Sequence, residues 1–144
     1  MFLKRLIISS ESSIIRDISF RKGLNLIVDN TGSEITGNNV GKTTVLKLID
    51  FCLGASPNGI WVDPENKKEE YQLVKNFLKD KKVLITLILA SDLDDNSATE
   101  MKIERNFLSR KEIIRRINDE NLTEEEFEER LSRLLFPQLT TEKP

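Results

Sequence analysis

Residues 36–44 read Thr-Gly-Asn-Asn-Val-Gly-Lys-Thr-Thr, a run of residue types that can bind phosphate. Aligned on Gly41, Lys42 and Thr43, it follows the P-loop pattern G-x-x-x-x-G-K-[ST]. Successive backbone N–H groups in such a turn form an anion-binding nest. Here Asn38, Asn39, Val40, Gly41 and Lys42 would supply them. A helix that begins at this point aims the positive end of its dipole at the same place. Gly41 has no Cβ to keep the backbone away from a phosphate. Lys42 extends a compact cation toward the terminal phosphates. The Thr43 hydroxyl is placed to ligate Mg2+, and Thr44 to reach the α-phosphate. The first glycine position of the pattern is occupied by Thr36, with Gly37 one place later. Asn39 tolerates the left-handed backbone such a turn needs.

Composition limits what else the chain can do. It has 144 residues, 38% hydrophobic and 32% charged, with a formal net charge of -2. That length suits one domain, and the balance of charge excludes a strongly basic nucleic-acid arm. There is no histidine and one cysteine. Histidine general bases, Ser-His-Asp systems and His-ligated metals are thereby excluded, as is a multi-cysteine zinc site. The apolar start of the chain is interrupted by Lys4 and Arg5, and no run approaches the roughly 18 apolar residues of a membrane span. The expectation is a cytoplasmic protein with no membrane partner.

The elements that would position the loop can be read from patterning. Leu3 to Ile8 and Ile14 to Phe20 read as strands. Gly23 follows them in a turn, and Leu24 to Val28 reads as a buried strand leading into the loop. A helix starts near Gly41. Its residues Val45, Leu46, Leu48, Ile49, Phe51, Cys52 and Leu53 make it apolar on most sides, hence buried. Gly54 suits its C-cap. A Pro/Gly loop covers Ala55 to Pro64, and Lys67 to Asp80 holds a short amphipathic helix. Val83 to Ala90 and Met101 to Leu108 read as a hairpin, with Met101, Ile103, Arg105 and Phe107 on one face. Lys111 to Ile117 fits a strand or a short helix, and Asn118 to Asn121 a turn. Thr123 and Glu126 predict a capping box for a last helix that ends at Pro137.

Taken in order, G-L-N-L-I-V, G-N-N-V-G-K-T-T and V-L-K-L-I-D-F-C-L-G resemble the start of the ATPase head of SMC, RecF and RecN-type proteins. The later hairpin ending in R-N-F-L resembles their antiparallel β-layer, and the helix Thr123 to Phe136 the one preceding their Q-loop. Within that group the sequence is most similar to bacterial SMC-like coiled-coil ATPases, some of them in ABC-type, defence-related operons. The resemblance implies an α/β P-loop NTPase fold of the ABC/SMC head type, with residues 1–136 as its N-terminal lobe and 137–144 as a tail toward a coiled coil. It implies ATP and Mg2+ as cofactors, the C-terminal half of the same protein as a partner, and a head-to-head homodimer that closes on ATP. DNA is a further implied partner, in repair or defence. The family's Walker B strand, signature, D-loop and switch histidine have no counterpart here. Leu93-Asp94-Asp95 sits in a polar loop. The expectation is an N-terminal fragment that hydrolyses ATP negligibly by itself.

Two other readings stay open: a self-contained P-loop phosphotransferase, and a non-catalytic interaction module whose loop is a structural nest. An ABC transporter subunit is disfavoured, because its Q-loop should already have appeared. Arg16 could meet a γ-phosphate or be a solvated surface residue. Asp63, Glu65, Glu69 and Glu70 read as a solvated acidic face. Arg105, Arg110, Lys111, Arg115 and Arg116 form the one basic cluster, for a phosphate backbone or for surface salt bridges. Trp61 and Cys52 read as core.

Overall fold

The computed structural model describes residues 1–28, 42–62, 65–66 and 69–138. Its frame is a six-stranded sheet in the order β2-β1-β3-β4-β5-β6, antiparallel throughout. The strands are β1 (Phe2–Ser9), β2 (Ile14–Ser19), β3 (Leu84–Ala90), β4 (Glu100–Asn106), β5 (Arg115–Ile117) and β6 (Glu120–Asn121). The helices are α1 (Lys42–Cys52), α2 (Asn58–Trp61), α3 (Gln72–Asp80) and α4 (Glu124–Leu135).

Register explains the layering. Leu6 pairs with Leu87, Leu87 with Ile103, and Ile103 with Ile117. Paired residues on adjacent strands point to the same face. This row is therefore one apolar stripe across four strands, and all four side chains are buried. α1 packs over it on β3 and β4, and α4 packs on β5. The next row points the other way and is polar toward β5: Thr86 pairs with Glu104, and Glu104 with Arg116. Arg116 Nε lies 3.3 Å from Glu104 Oε2, near enough for attraction but off the line of an N–H bond.

Turn chemistry sets the hairpins. Asn118 and Asp119 have φ of 49° and 69°, the paired left-handed geometry of a type I′ turn between β5 and β6. Lys111 to Ile117 resolves into both suggested forms: a 3-10 turn at Arg110–Glu112, then β5. Asn106 staples that turn, donating to Glu112 O and accepting from Ile114 N, each at 2.8 Å. α4 starts with the expected capping box. The Glu126 N–H donates to Thr123 Oγ1, and the Thr123 N–H donates to the Glu126 carboxylate.

The expected turn at Asn118 to Asn121 gives its last two residues to β6, and two further expectations fail. Leu24 to Val28 forms no strand of the described sheet, and Leu24, Leu26 and Val28 are each 73% exposed. An apolar face is buried only where sheet or helix covers it, and no described element covers the side of Leu24, Leu26 and Val28. The Pro/Gly loop also contains a helical turn, α2, which buries Ile60 and Trp61.

Candidate phosphate-binding site

α1 begins at Lys42, so Lys42, Thr43 and Thr44 form its first turn. The first N–H groups of a helix have no partner within it, and they concentrate the positive end of its dipole. No acidic residue occupies that turn, and Lys42 has no carboxylate partner among the described residues. Lys42 is half-exposed, and Thr43 and Thr44 are exposed. A cation, two hydroxyls and free N–H donors thus share one solvent-facing helix end, a donor set suited to a phosphate with Mg2+. Asn38, Asn39, Val40 and Gly41 lie outside the described residues.

The rest of α1 is built to hold that end. Leu48, Phe51 and Cys52 are buried against the sheet. Burial pushes the Cys52 thiol up to about 12, so it is a core group rather than a nucleophile. Gly54, at φ 107°, closes the helix. The Ala55 N–H reaches Asp50 O at 2.9 Å and the Gly54 N–H reaches Phe51 O at 3.2 Å, the bond pair of a Schellman motif. α1 is not apolar-buried on every side, however. Leu46 is 57% exposed and Leu53 37%. Leu46 and Ile49 line an open cleft of about 480 Å3 with Phe2, Phe20, Asn25 and Ile27.

That cleft rests on the expected turn at Gly23, which Asn25 clamps. Asn25 Oδ1 accepts from Arg21 N at 3.0 Å, and its Nδ2 donates to Arg21 O at 2.8 Å, across Gly23 at φ 81°. The Gly-x-Asn spacing is thus a local clamp. Beside it Lys22 bridges Asp92 at 2.9 Å and Asp94 at 2.7 Å.

The remaining candidates scatter. Arg16 is exposed on β2, and its guanidinium donates to the neighbouring Ile15 carbonyl. Glu70 pairs with Lys75, whereas Asp63 lies outside the described residues. The basic cluster divides: Arg116 turns to Glu104, while Arg105 turns to the core side. Trp61 is 4% exposed and meets Phe107 edge-on, as a core residue. No described helix is long and apolar enough to cross a membrane.

No family model and no curated protein matches this chain. Among solved structures it is similar to a chain from work on the structural biochemistry of ATP-driven dimerization and DNA-stimulated activation of SMC ATPases. The identity is 15%, the TM-score is 0.57, and the match covers 94% of this chain and 80% of that one. At that identity the likeness is one of fold: a mixed α/β arrangement with an antiparallel six-stranded sheet.

Proposed function

We propose that this chain binds ATP with Mg2+ at the N-terminal end of α1. The observation that carries the reading is the position of Lys42 and Thr43 in the first, acid-free turn of a helix seated on the sheet. In this reading the backbone N–H groups of Asn38, Asn39, Val40, Gly41 and Lys42 cradle the phosphates. Lys42 neutralises the β- and γ-oxygens, the Thr43 hydroxyl holds the metal, and Thr44 reaches the α-phosphate. A bound Mg2+ would supply charge neutralisation.

Hydrolysis needs a group that positions water, and the sequence offers no apolar strand ending in paired acids. In our reading residues 1–136 are the N-terminal lobe of a head. The C-terminal half of the protein completes the lobe and brings the catalytic carboxylate. A second copy closes head-to-head over the nucleotide. The outward apolar side chains of Leu24, Leu26 and Val28, and of Leu46 on α1, support such a completing half. DNA, in repair or defence, is the further partner this reading implies.

The test is titration with Mg-ATP by calorimetry, on the chain and on Lys42→Ala. Charge-assisted hydrogen bonds contribute about 1.5–3 kcal/mol, so the variant should bind roughly tenfold or more weakly. Turnover by the chain should be negligible. Equal binding by both proteins would leave the loop as a structural nest, and turnover at the rate of a complete enzyme would favour a self-contained phosphotransferase.

A further inference from the structure

We infer that Arg105 is a positioning residue for the nucleotide site, coupling the phosphate-binding end of α1 to α4. This rests on the reading of Lys42 and Thr43 given above. Arg105 lies on β4, on the core face, paired with Ile85. Its Nη1 donates to Phe51 O and, at 3.1 Å, to Ala55 O. Phe51 lies in the last turn of α1 and Ala55 just past its Gly54 cap, at the negative end of the helix dipole; Phe51 O accepts from the Gly54 N–H as well. The guanidinium carbon is 4.1 Å from the centroid of the Phe51 ring and 5.4 Å from that of Phe127 on α4. No carboxylate within ion-pairing distance of Arg105 is found among the described residues. The charge of this half-buried group is met by the Phe51 and Ala55 carbonyls and two ring faces, with Glu124 and Glu128 of α4 acting at longer range.

The geometry has a mechanical consequence. α1 is 11 residues long, so its two ends stand about 16 Å apart. The N-terminal end meets phosphate, and the C-terminal end is held by Arg105. α4 bears on the same cap, because Leu131 Cδ1 sits 3.9 Å from where a Cβ on Gly54 would be. A movement of α1 along its axis must break the Arg105 bonds or carry α4 with it. A ligand that favours one position of α1 therefore biases α4, and the coupling is reciprocal. Lysine reproduces this only in part: both bonds come from one nitrogen, which an ammonium could replace, but lysine lacks the planar guanidinium face that lies against the Phe51 ring.

The experiment is hydrogen–deuterium exchange with and without Mg-ATP, with calorimetric titration, on the wild-type chain, Arg105→Met, Arg105→Lys and Phe127→Leu. In the wild type, Mg-ATP should slow exchange at both the start of α1 and residues 127–131. Arg105→Met should weaken Mg-ATP binding about tenfold and abolish the slowing at residues 127–131. Arg105→Lys should restore part of the affinity. Phe127→Leu keeps an apolar side chain, and so a packed core, and should retain protection at the start of α1 while losing it at 127–131. It decides the matter if Arg105→Met does not fold. Wild-type binding with unchanged protection of α4 in these variants would overturn the role of Arg105 alone. A wild-type chain that binds no Mg-ATP would overturn the nucleotide reading and the coupling with it.

Discussion

The rings of Phe51 and Phe107 stack face to face, 4.6 Å between centroids and 11° between planes. The pair joins α1 to the segment leaving β4, and the Arg105 guanidinium also lies against the Phe51 ring. Aromatic pairs contribute about 0.5–1.5 kcal/mol beyond the area they bury. A double-mutant cycle with Phe51→Leu and Phe107→Leu, followed by urea denaturation, should therefore give a coupling energy of about 1 kcal/mol. Strict additivity would show that the two rings merely fill volume.

The capping box of α4 makes a separate prediction. Thr123 and Glu126 satisfy each other's backbone N–H groups. Thr123→Ala should cost about 1 kcal/mol, or roughly 3–4 °C in Tm for a chain of this length. Thr123→Ser should cost less. A Thr123→Ala variant that melts with the wild type would show that packing of Phe127 and Leu131 alone holds the helix.

Much of this molecule could be read from local rules. The capping box, the glycine at the end of α1 and the β3–β4 hairpin all follow from short-range chemistry, and each is present. The helix start at Lys42 was equally legible. The reading of Leu24 to Val28 failed for a different reason. Apolar character says that a segment gains by burial, but not that a partner lies within the same stretch of chain. The alternation of β4 puts Arg105 on the face of Met101 and Ile103, but does not place it against α1. Its role depends on α1 ending beside β4, fifty positions away in sequence at Ala55, and no spacing rule reaches that far. The approach to that helix, residues 36–41, lies outside the described residues.

Cys52 should be chemically silent in the folded chain. It is fully buried, and desolvation holds its thiol at about 12 against an ordinary 9.0. Thiolate is the reactive form, so labelling by a disulfide reagent at pH 8 should proceed only at the rate of unfolding and become fast in urea. The sign of the pH effect follows. Between about 9 and about 12 the unfolded thiol has lost its proton and the folded one has kept it. The folded state then binds more protons, so stability falls as pH rises through that window. Cys52→Ala should remove this alkaline slope while lowering stability at pH 7. Rapid labelling of folded protein would contradict the burial.

Two leucines in different settings give the sharpest contrast. Leu6 is fully buried in the row with Leu87 and Ile103, while Leu26 is 73% exposed. Leu6→Ala should cost about 2–5 kcal/mol, because it leaves a cavity under β1. Leu26→Ser should change stability by no more than about 0.5 kcal/mol, as exposed positions do. An exposed apolar stretch also favours association. Leu26→Ser should therefore reduce self-association in sedimentation velocity while leaving the denaturation midpoint in place. If the completing half proposed above is then supplied as a separate polypeptide, the same substitution should weaken its binding. A large loss of stability in the chain alone would show that Leu24 to Val28 is already covered, and that the apolar run is satisfied within these residues after all.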